Sequence, residues 1–310
     1  MVILVVGAGS IGHRHSENLA ALGEKVELIP WKAFDRATTK SRCDVKGLVI
    51  ATATQVRLEL IELCVAKGWP FYVEKPLHWT PQGVSDIYAA AGDLAARSML
   101  GFMTRYHPVV QALVGNDLSD VYGFSFEIGH DIRQWRQNWS FRESYAAKSE
   151  GGGVLLDLCH ELDLTHALFP TVGVQSVTSV GHGDFVGVDF ASRIALVDQA
   201  GRAGMVAMDY LAPASQRRSV LHGLLEIREL DMLAGHLTRD DGNGKKLEAH
   251  TFERNDMFRA ISRDWLALIA DEDAVLQPNA PRVSDMRGSS DLIADAWSKR
   301  AFIGTIEMAF

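Results

Sequence analysis

Three glycines near the start of the chain have the spacing of a phosphate-binding turn. Gly7, Gly9 and Gly12 form a G-x-G-x-x-G pattern directly after the apolar run 2–6, and a helical segment at 15–22 follows. In this context the first glycine makes a tight turn, the second lets a pyrophosphate approach the backbone, and the third lets helix and strand pack closely. The helix N-terminus adds free N–H groups and the positive end of a dipole. We expect a dinucleotide here, although glycines also occur in turns that bind no ligand.

A lysine after a later strand is a candidate for proton chemistry. Lys75 lies in the tripeptide Glu74-Lys75-Pro76, which follows the short apolar run 70–73. Open α/β sheets place their ligands at the carboxyl ends of strands. A partly desolvated lysine there can donate to a substrate hydroxyl and stabilise its developing negative charge. Taken alone, the tripeptide is more typical of an ordinary surface segment.

The end of the second predicted strand, residues 25–31, bears on the choice of cofactor. A carboxylate about 20 residues after the glycines would hold the 2′-hydroxyl of NAD. The chain has Trp31 and Lys32 there instead, with Arg36 close by. The missing acid and the two cations slightly favour the 2′-phosphate of NADP, while solvated loop charges would give the same pattern. Trp31 either covers the adenine or caps the sheet.

Alternating strands and helices must position these residues. Strands are predicted at 2–6, 25–31, 47–52, 70–73 and 98–102, with helices at 15–22, 56–67 and 79–96. This alternation predicts a right-handed parallel sheet. Alternating apolar stretches after residue 175 predict a second sheet, and helices are predicted at 255–270 and 284–299.

The length of 310 residues suits two domains. We predict a dinucleotide-binding domain at 1–106 and an α+β domain for substrate binding and oligomerisation at 107–310. The last helix is a candidate to pack back on the first domain.

Composition narrows the function classes. A net charge of −8 argues against a nucleic-acid surface, and 47% hydrophobic residues are typical of an ordinary globular core. No apolar run approaches the ~18 residues of a membrane span, and a strand at residue 2 leaves no room for a signal peptide. Three widely spaced cysteines indicate a reducing compartment and no structural zinc. We expect a cytoplasmic protein with neither membrane nor nucleic-acid partners.

Five short motifs in the first half of the chain carry a family resemblance. They are 7–15 (GAGSIGHRH), 51–54 (ATAT), 74–76 (EKP), 101–106 (GFMTRY) and 151–163 (GGGVLLDLCHELD). In this order the chain resembles the glucose–fructose oxidoreductase / myo-inositol dehydrogenase family of NAD(P)-dependent oxidoreductases. The resemblance implies an α/β fold: an N-terminal Rossmann domain with a doubly wound parallel sheet, and a C-terminal α/β domain with an open, mainly antiparallel sheet.

The resemblance also implies hydride transfer at a carbon of a sugar-like substrate. The cofactor would then lie along one set of residues in the first 75 positions. These are Gly7, Gly9, Ser10, Ile11, Gly12, Trp31, Lys32, Ala51, Thr52, Thr54, Glu74 and Lys75.

Two departures from the family pattern concern the candidate site. Ala53 stands where such sequences often have proline and Arg57 where they often have histidine, which leaves the geometry of that loop open. Relatives also commonly show an aspartate followed four residues later by the catalytic histidine. Here Asp157 is followed by His160 at three and Glu161 at four, both on the face of Asp157 in a helix. Either His160 takes the role, or Glu161 occupies the usual position with His160 beside it.

His160 is our candidate for the general acid and base. An unperturbed histidine has a pKa of about 6.5 and can take a proton from a hydroxyl near neutral pH. Asp157 would bind a substrate hydroxyl or orient its neighbours. The alternative is a helical turn in which His160 is an interior side chain. His160-Glu161 begins an H-E-x-x-H pattern, but Leu164 at its fifth position removes the second ligand, so we reject a metal site.

A segment rich in arginine and aromatic residues, 131–148, lies between these motifs. Arginine pairs bidentately with phosphate and carboxylate, which favours a loop that binds an acidic or nucleotide-linked sugar. A packing loop between domains or subunits is an equal alternative. The candidate substrate-binding residues are Arg105, Tyr106, Trp135 and Glu161.

Together these features predict an NAD(P)-dependent dehydrogenase or reductase that acts on CH–OH groups. Its substrate would be a sugar, a polyol or a sugar derivative, with Lys75, His160 and Asp157 as catalytic residues. We expect a homodimer or homotetramer. A non-catalytic NAD(P)-binding regulatory protein on the same fold is the alternative. An enzyme that keeps its cofactor bound through a transfer cycle is a third possibility.

Overall fold

A computed structural model of the chain describes residues 1–134 and 140–307. They fall into two compact units. The first combines Met1–Tyr106 with Glu253–Ser290, and the second combines His107–Phe252 with Asp291–Phe310. The first unit therefore draws on two separate segments of chain. The division into domains at residue 106 stays a prediction.

The first unit is built on a parallel sheet with the strand order β2-β1-β3-β4-β5. All five residues of the first strand are buried, as expected for a strand covered on both faces. The strands are β1 (Val2–Val6), β2 (Val26–Ile29), β3 (Val45–Ile50), β4 (Phe71–Val73) and β5 (Met99–Leu100). The helices that alternate with them are α1 (Ser10–Ala21), α2 (Arg36–Lys40), α3 (Arg57–Lys67) and α4 (Pro81–Ala91).

Two elements of this unit are shorter than predicted. The helix α4 stops at Ala91, because the next residue is Gly92, a poor helix former, and a 3-10 segment Gly92–Arg97 follows. The strand β5 covers only Met99–Leu100 instead of 98–102, since the chain turns into the 3-10 segment Met103–Tyr106 soon afterwards.

The described residues of the second unit form a nine-stranded mixed sheet with the order β13-β12-β11-β10-β6-β9-β8-β7-β14. Neighbouring strands run antiparallel except for β6 with β9 and β7 with β14. The strands are β6 (Val121–Gly129), β7 (Gly173–His182), β8 (Ala191–Val197), β9 (Ala203–Asp209), β10 (Gln216–Gly223), β11 (Ile227–Asp231), β12 (His236–Asp240), β13 (Lys245–Ala249) and β14 (Arg300–Ile306).

Short helices accompany this sheet, and two longer helices follow it in the chain. The helices α5 (Pro108–Gln111), α6 (Val154–Asp157) and α7 (His160–Leu168) belong to the second unit, where α6 and α7 contact β6, β8 and β9. The helix α8 (Arg254–Ala270) belongs to the first unit, and α9 (Arg287–Ser298) is divided between the two. The parallel sheet and the mainly antiparallel sheet confirm the predicted fold class. No helix in the described ranges is both long and apolar enough to cross a bilayer.

Candidate functional site

The glycine turn between β1 and α1 has two positions that only glycine can fill. Gly7 has φ +109°, and a Cβ added there would lie 2.3 Å from the carbonyl oxygen of Ala51. A Cβ added to Gly12 would lie 1.8 Å from the carbonyl oxygen of Gly7. Gly9 differs, because a Cβ there would meet no atom within 4 Å. The turn is therefore packed at both ends and open in its middle.

No side chain among the described residues caps the N-terminus of α1. Gly9 is the N-cap residue, and the first turn contains no acidic residue. The first backbone bond of the helix runs from the N–H of His13 to the carbonyl of Gly9, at 3.0 Å. The N–H groups of Ser10, Ile11 and Gly12 come before that bond and therefore have no acceptor within the helix. These groups and the positive end of the helix dipole are available to an anion.

The end of β2 places aromatic and charged side chains at the surface. Trp31 is stacked on Phe34, with ring centroids 5.6 Å apart and an interplanar angle of 17°. Arg36 is paired with Glu62 at 3.4 Å, and both side chains are about half exposed. Lys32 is exposed and makes no ion pair with the described residues. Lys32 and Arg36 are the two cations predicted to recognise a 2′-phosphate. Only Lys32 has no carboxylate partner among the described residues.

Two threonines follow the carboxyl end of β3. Thr52 is 9% exposed, and its hydroxyl is buried without a hydrogen-bond partner among the described residues. Buried hydroxyl groups are normally hydrogen-bonded. A ligand bound here would supply the partner that this hydroxyl lacks among the described residues. Thr54 is also 9% exposed and begins the 3-10 turn Thr54–Val56 that leads into α3.

Glu74 is held inside the first unit by a histidine of α1. The Nε2 atom of His15 and the Oε1 atom of Glu74 are 2.6 Å apart, and both side chains are buried. Burial alone would raise the pKa of Glu74. The hydrogen bond with His15 and the charges of His15, Lys75 and Arg57 outweigh burial and lower that pKa below its usual range. We did not predict this partner, although His15 lies within the motif 7–15.

Arg57 lies where the family pattern often has histidine, and it is 4% exposed. Its guanidinium donates to the carbonyl oxygens of Thr52 (3.2 Å), Lys75 (3.4 Å) and Pro76. The arginine therefore connects the loop after β3 to the segment that carries Lys75. The Lys75–Pro76 peptide bond is cis.

Two predicted substrate-binding residues make contacts within the first unit. Arg105 donates to the side-chain and backbone oxygens of Asn279, at 2.8 and 3.3 Å. The Tyr106 hydroxyl donates to Asp264 at 2.5 Å. Burial first and then this carboxylate raise the pKa of Tyr106 above its usual range. Both side chains are buried, and their role toward a substrate stays a prediction.

The helix predicted to carry Asp157 and His160 is broken between them. The helix α6 ends at Asp157 and α7 begins at His160, and Leu158 between them has φ −102° and ψ 23°. The expectation that both residues share one face of a continuous helix is therefore wrong. The end of α6 is closed by the N–H of Leu158 on the carbonyl of Val154, at 2.9 Å.

Two tyrosines hold the carboxylate of Asp157. The Tyr145 hydroxyl donates to Oδ1, and the Tyr210 hydroxyl donates to Oδ2 at 3.0 Å. Tyr210 is fully buried, while Tyr145 is 50% exposed. Burial, followed by the charge of Asp157, raises the pKa of Tyr210 well above its usual range. Neither tyrosine was predicted as a partner of Asp157: Tyr145 lies in the aromatic segment 131–148, 12 positions before Asp157, and Tyr210 lies 53 positions after it.

Glu161 and His160 have different surroundings although they are adjacent in sequence. Glu161 is 1% exposed and accepts a hydrogen bond from Nε of Arg217 on β10, at 2.5 Å. His160 is 7% exposed. A buried carboxylate paired with a guanidinium is stabilised in its charged form, so Glu161 is engaged within the second unit.

A buried aspartate fixes the start of α6. Asp189 is fully buried, and its carboxylate accepts from the N–H of Leu155 (3.0 Å), from Ser192 (2.9 Å) and from Arg300 (2.5 Å). Its carbonyl accepts from the N–H of Val154 at 2.9 Å. Asp189 thus acts as an N-terminal cap supplied by a distant part of the chain.

The segment 131–148 is only partly described. Trp135 lies outside the described residues, as do Arg136 and Trp139. Arg133 is paired with Asp131 at 2.7 Å, and Arg142 is paired with Asp184 at 3.0 Å. Across the described ranges, no group of three or more His, Cys, Asp or Glu side chains is arranged to hold a metal ion.

Sequence comparison finds distant relatives. No protein-family model matches the chain. A trans-1,2-dihydrobenzene-1,2-diol dehydrogenase from Xenopus tropicalis is 23% identical over 192 residues, which are 59% of this chain and 56% of that protein. Its counterpart from Xenopus laevis is 24% identical over 219 residues, 68% of this chain and 64% of that protein. The chain thus matches less than two thirds of the length of these relatives.

Solved structures match over nearly the whole chain. A UDP-N-acetylglucosamine 3-dehydrogenase from Acidithiobacillus ferrooxidans superposes with a TM-score of 0.74 at 17% identity, over 96% of this chain and 95% of that one. A 3-ketoreductase from Actinomadura kijaniata, in complex with NADP and TDP-benzene, gives 0.77 at 13%, over 98% and 99%. A myo-inositol dehydrogenase from Corynebacterium glutamicum gives 0.71 at 19%, over 97% and 96%. The chain therefore has the fold of these three solved proteins, as the resemblance carried by the five motifs implied.

Proposed function

We propose that the chain is an NAD(P)-dependent oxidoreductase that acts on a hydroxyl-bearing or keto carbon of a sugar, a polyol or a sugar derivative. The observation that carries this proposal is the turn 7–12, which is closed at Gly7 and Gly12 and open at Gly9 in front of an uncapped helix N-terminus. The fold of the superposed dehydrogenases and ketoreductase supports the same reaction class.

The chain offers suitable groups to each part of the cofactor. The N–H groups at the start of α1 would bind the pyrophosphate, and the Thr52 hydroxyl would gain the partner that the described residues do not supply. Lys32 favours NADP slightly over NAD, because no carboxylate in the described ranges neutralises it. When bound, the nicotinamide supplies the hydride chemistry.

The protein would supply positioning and proton transfer. Lys75 donates to the substrate oxygen and stabilises the negative charge that develops there. His160 takes the proton from the reacting hydroxyl or returns it to the keto oxygen. Asp157, whose carboxylate is held by two tyrosines, orients the neighbouring side chains. We assign the proton to His160 and not to Glu161, because Arg217 engages the buried Glu161 carboxylate.

The names of the relatives set the range of substrates to test. They refer to a UDP-sugar, a ketone, an inositol and a cyclic diol. We propose a small molecule of this chemical range as the partner of the site, and a homodimer or homotetramer as the assembly.

A substrate panel with NAD+ and NADP+, monitored by the absorbance of reduced nicotinamide, tests the proposal. We expect turnover with at least one sugar, polyol, nucleotide-linked sugar or cyclic diol. Lys75→Ala should retain nucleotide binding and lose turnover by about 100-fold or more, since general acid–base groups contribute 10²–10⁴-fold. Lys40→Ala, at an exposed position of α2, is the control and should behave as the unmodified protein.

Two outcomes would change the assignment. Nucleotide binding without turnover on any member of the panel would favour a regulatory protein on this fold. Full turnover in Lys75→Ala would remove the lysine from the reaction while leaving the cofactor site in place.

A further inference from the structure

Arg57 is a buried cation whose two terminal NH2 groups donate to backbone oxygens. It is the first residue of α3, and it is 4% exposed. Its described hydrogen bonds go to three carbonyl oxygens, those of Thr52, Lys75 and Pro76. A buried guanidinium is costly unless its N–H groups are satisfied, so these carbonyls must stay where the arginine can reach them.

The arginine acts at the point where the parallel sheet ends. The last paired residues of β3 and β4 are Ile50 and Val73, and the last backbone bond runs from the N–H of Glu74 to the carbonyl of Ile50, at 3.0 Å. Within the described ranges, no backbone–backbone hydrogen bond joins residues 51–54 to residues 75–78. Beyond the last paired residues of β3 and β4, the side-chain donors of Arg57 therefore take the place of the backbone hydrogen bonds that join the two strands.

The charges around this position support the same contact. Burial would raise the pKa of Glu74, but the hydrogen bond with His15 and the charges of His15, Lys75 and Arg57 lower it overall. Arg57 thus contributes to the electrostatic stabilisation of the Glu74 carboxylate. Loss of the arginine would leave three carbonyls without their donor and Glu74 with one cation fewer.

We infer that Arg57 is a positioning residue, which fixes the backbone of Lys75 relative to the loop that carries Thr52. The inference rests on the proposed function, in which Lys75 donates to the reacting oxygen. Misplacement of a catalytic group by about 1 Å can cost about 100-fold in rate. The phosphate-binding turn Gly7–Gly12 lies outside these contacts, whereas Thr52 and Lys75 lie within them, so kcat should fall by a larger factor than nucleotide affinity.

The test compares Arg57→Met with Arg97→Met. Methionine keeps an unbranched apolar stem and removes every donor. Arg97 is a matched control in the same unit, since it also donates to two backbone carbonyls, those of Leu268 (3.5 Å) and Ile269 (3.2 Å). Hydrogen–deuterium exchange of the segment 74–79 reports the order of the backbone, and steady-state kinetics report kcat and KM.

We expect exchange at 74–79 to rise about 10-fold in Arg57→Met, as local opening becomes easier, and kcat to fall by about 100-fold. Arg97→Met should leave both quantities unchanged. In Arg57→Ala, free guanidinium ion should restore part of the exchange protection and part of kcat, which a general loss of stability would not allow. If Arg57→Met does not fold, Arg57→Lys replaces it and should give a smaller rise in exchange, because one ammonium cannot reach all three carbonyls.

The two hypotheses fail in different ways. If the unmodified protein turns over no substrate, the proposed function is wrong, and exchange at 74–79 still decides whether Arg57 fixes this backbone. Unchanged exchange at 74–79 in Arg57→Met, or an equal rise in Arg97→Met, would overturn the inference whatever the activity.

Discussion

The packing of the glycine turn predicts different effects on stability for two alanine substitutions three residues apart. At Gly12 an added Cβ would lie 1.8 Å from the carbonyl oxygen of Gly7, about 1.6 Å short of the 3.4 Å at which ordinary van der Waals contact begins. The neighbour is backbone, so it cannot rotate away. At Gly9 the same Cβ meets no atom within 4 Å, and its φ of −77° suits alanine.

The expected magnitudes follow from these distances. Overpacking typically costs about 1–3 kcal/mol, while alanine gains about 0.5–1 kcal/mol over glycine within a helix. Gly12→Ala should therefore lower the free energy of unfolding by about 1–2 kcal/mol and move α1 away from the turn, so that nucleotide binding is largely lost. Gly9→Ala should change stability by less than about 0.5 kcal/mol and still lower nucleotide affinity, because its methyl group occupies the approach to the backbone.

Urea unfolding and fluorescence titration with NAD+ and NADP+ measure both quantities on the same samples. The two variants must separate: one loses stability and binding together, and the other loses binding alone. A Gly12→Ala protein with the original unfolding midpoint would show that the helix is not held against the turn. Undiminished nucleotide affinity in Gly9→Ala would place the phosphates somewhere else.

Three further predictions concern other parts of the chain. Lys32→Glu should weaken NADP about 10-fold relative to NAD, the value of one charged hydrogen bond, and competitive titration with both nucleotides measures the ratio. Tyr210→Phe should destabilise the protein by about 2 kcal/mol and Tyr145→Phe by about half of that, because only the first hydroxyl is fully buried beside Asp157; equal urea midpoints for the two variants would contradict this. Burial first, and then Arg217, lower the pKa of His107 to about 4, so His107 is neutral in the folded protein. The unfolded chain takes up a proton on His107 at a pH of about 6.5, whereas the folded protein takes it up only near pH 4. The free energy of unfolding is therefore highest above pH 6.5 and falls by about 3 kcal/mol as the pH falls toward 4. The loss between pH 7 and pH 4 should be smaller in His107→Gln.

The parts of the fold that could be predicted from sequence depend on neighbouring residues. The run 2–6 is apolar throughout and forms a strand buried on both faces, and the next residues already require glycine for the turn. The end of α3 at Gly68, which has φ +64°, is a local effect of the same kind. Such signals are contained in the sequence because the interacting atoms are only a few residues apart.

The partners within the candidate site could not be predicted in this way. Tyr210 lies 53 positions after Asp157, Arg217 lies 56 after Glu161, and His15 lies 59 before Glu74. Only the folded sheet brings these pairs together, and neither composition nor periodicity records which strand will lie beside which helix. Their charges were visible in the sequence, but the pairing was not.

The break between α6 and α7 shows how such distant contacts alter a local expectation. Leu158 and Cys159 are not helix breakers, and a continuous helix would place Asp157 and His160 on one face. Asp189, in the loop before β8, holds the start of α6 through the N–H groups of Val154 and Leu155. The helical conformation is interrupted at Leu158. Spacings of three and four residues lose their meaning across such a break, and the choice between His160 and Glu161 must come from contacts. Since Arg217 engages Glu161, we assign the proposed proton-transfer role to His160.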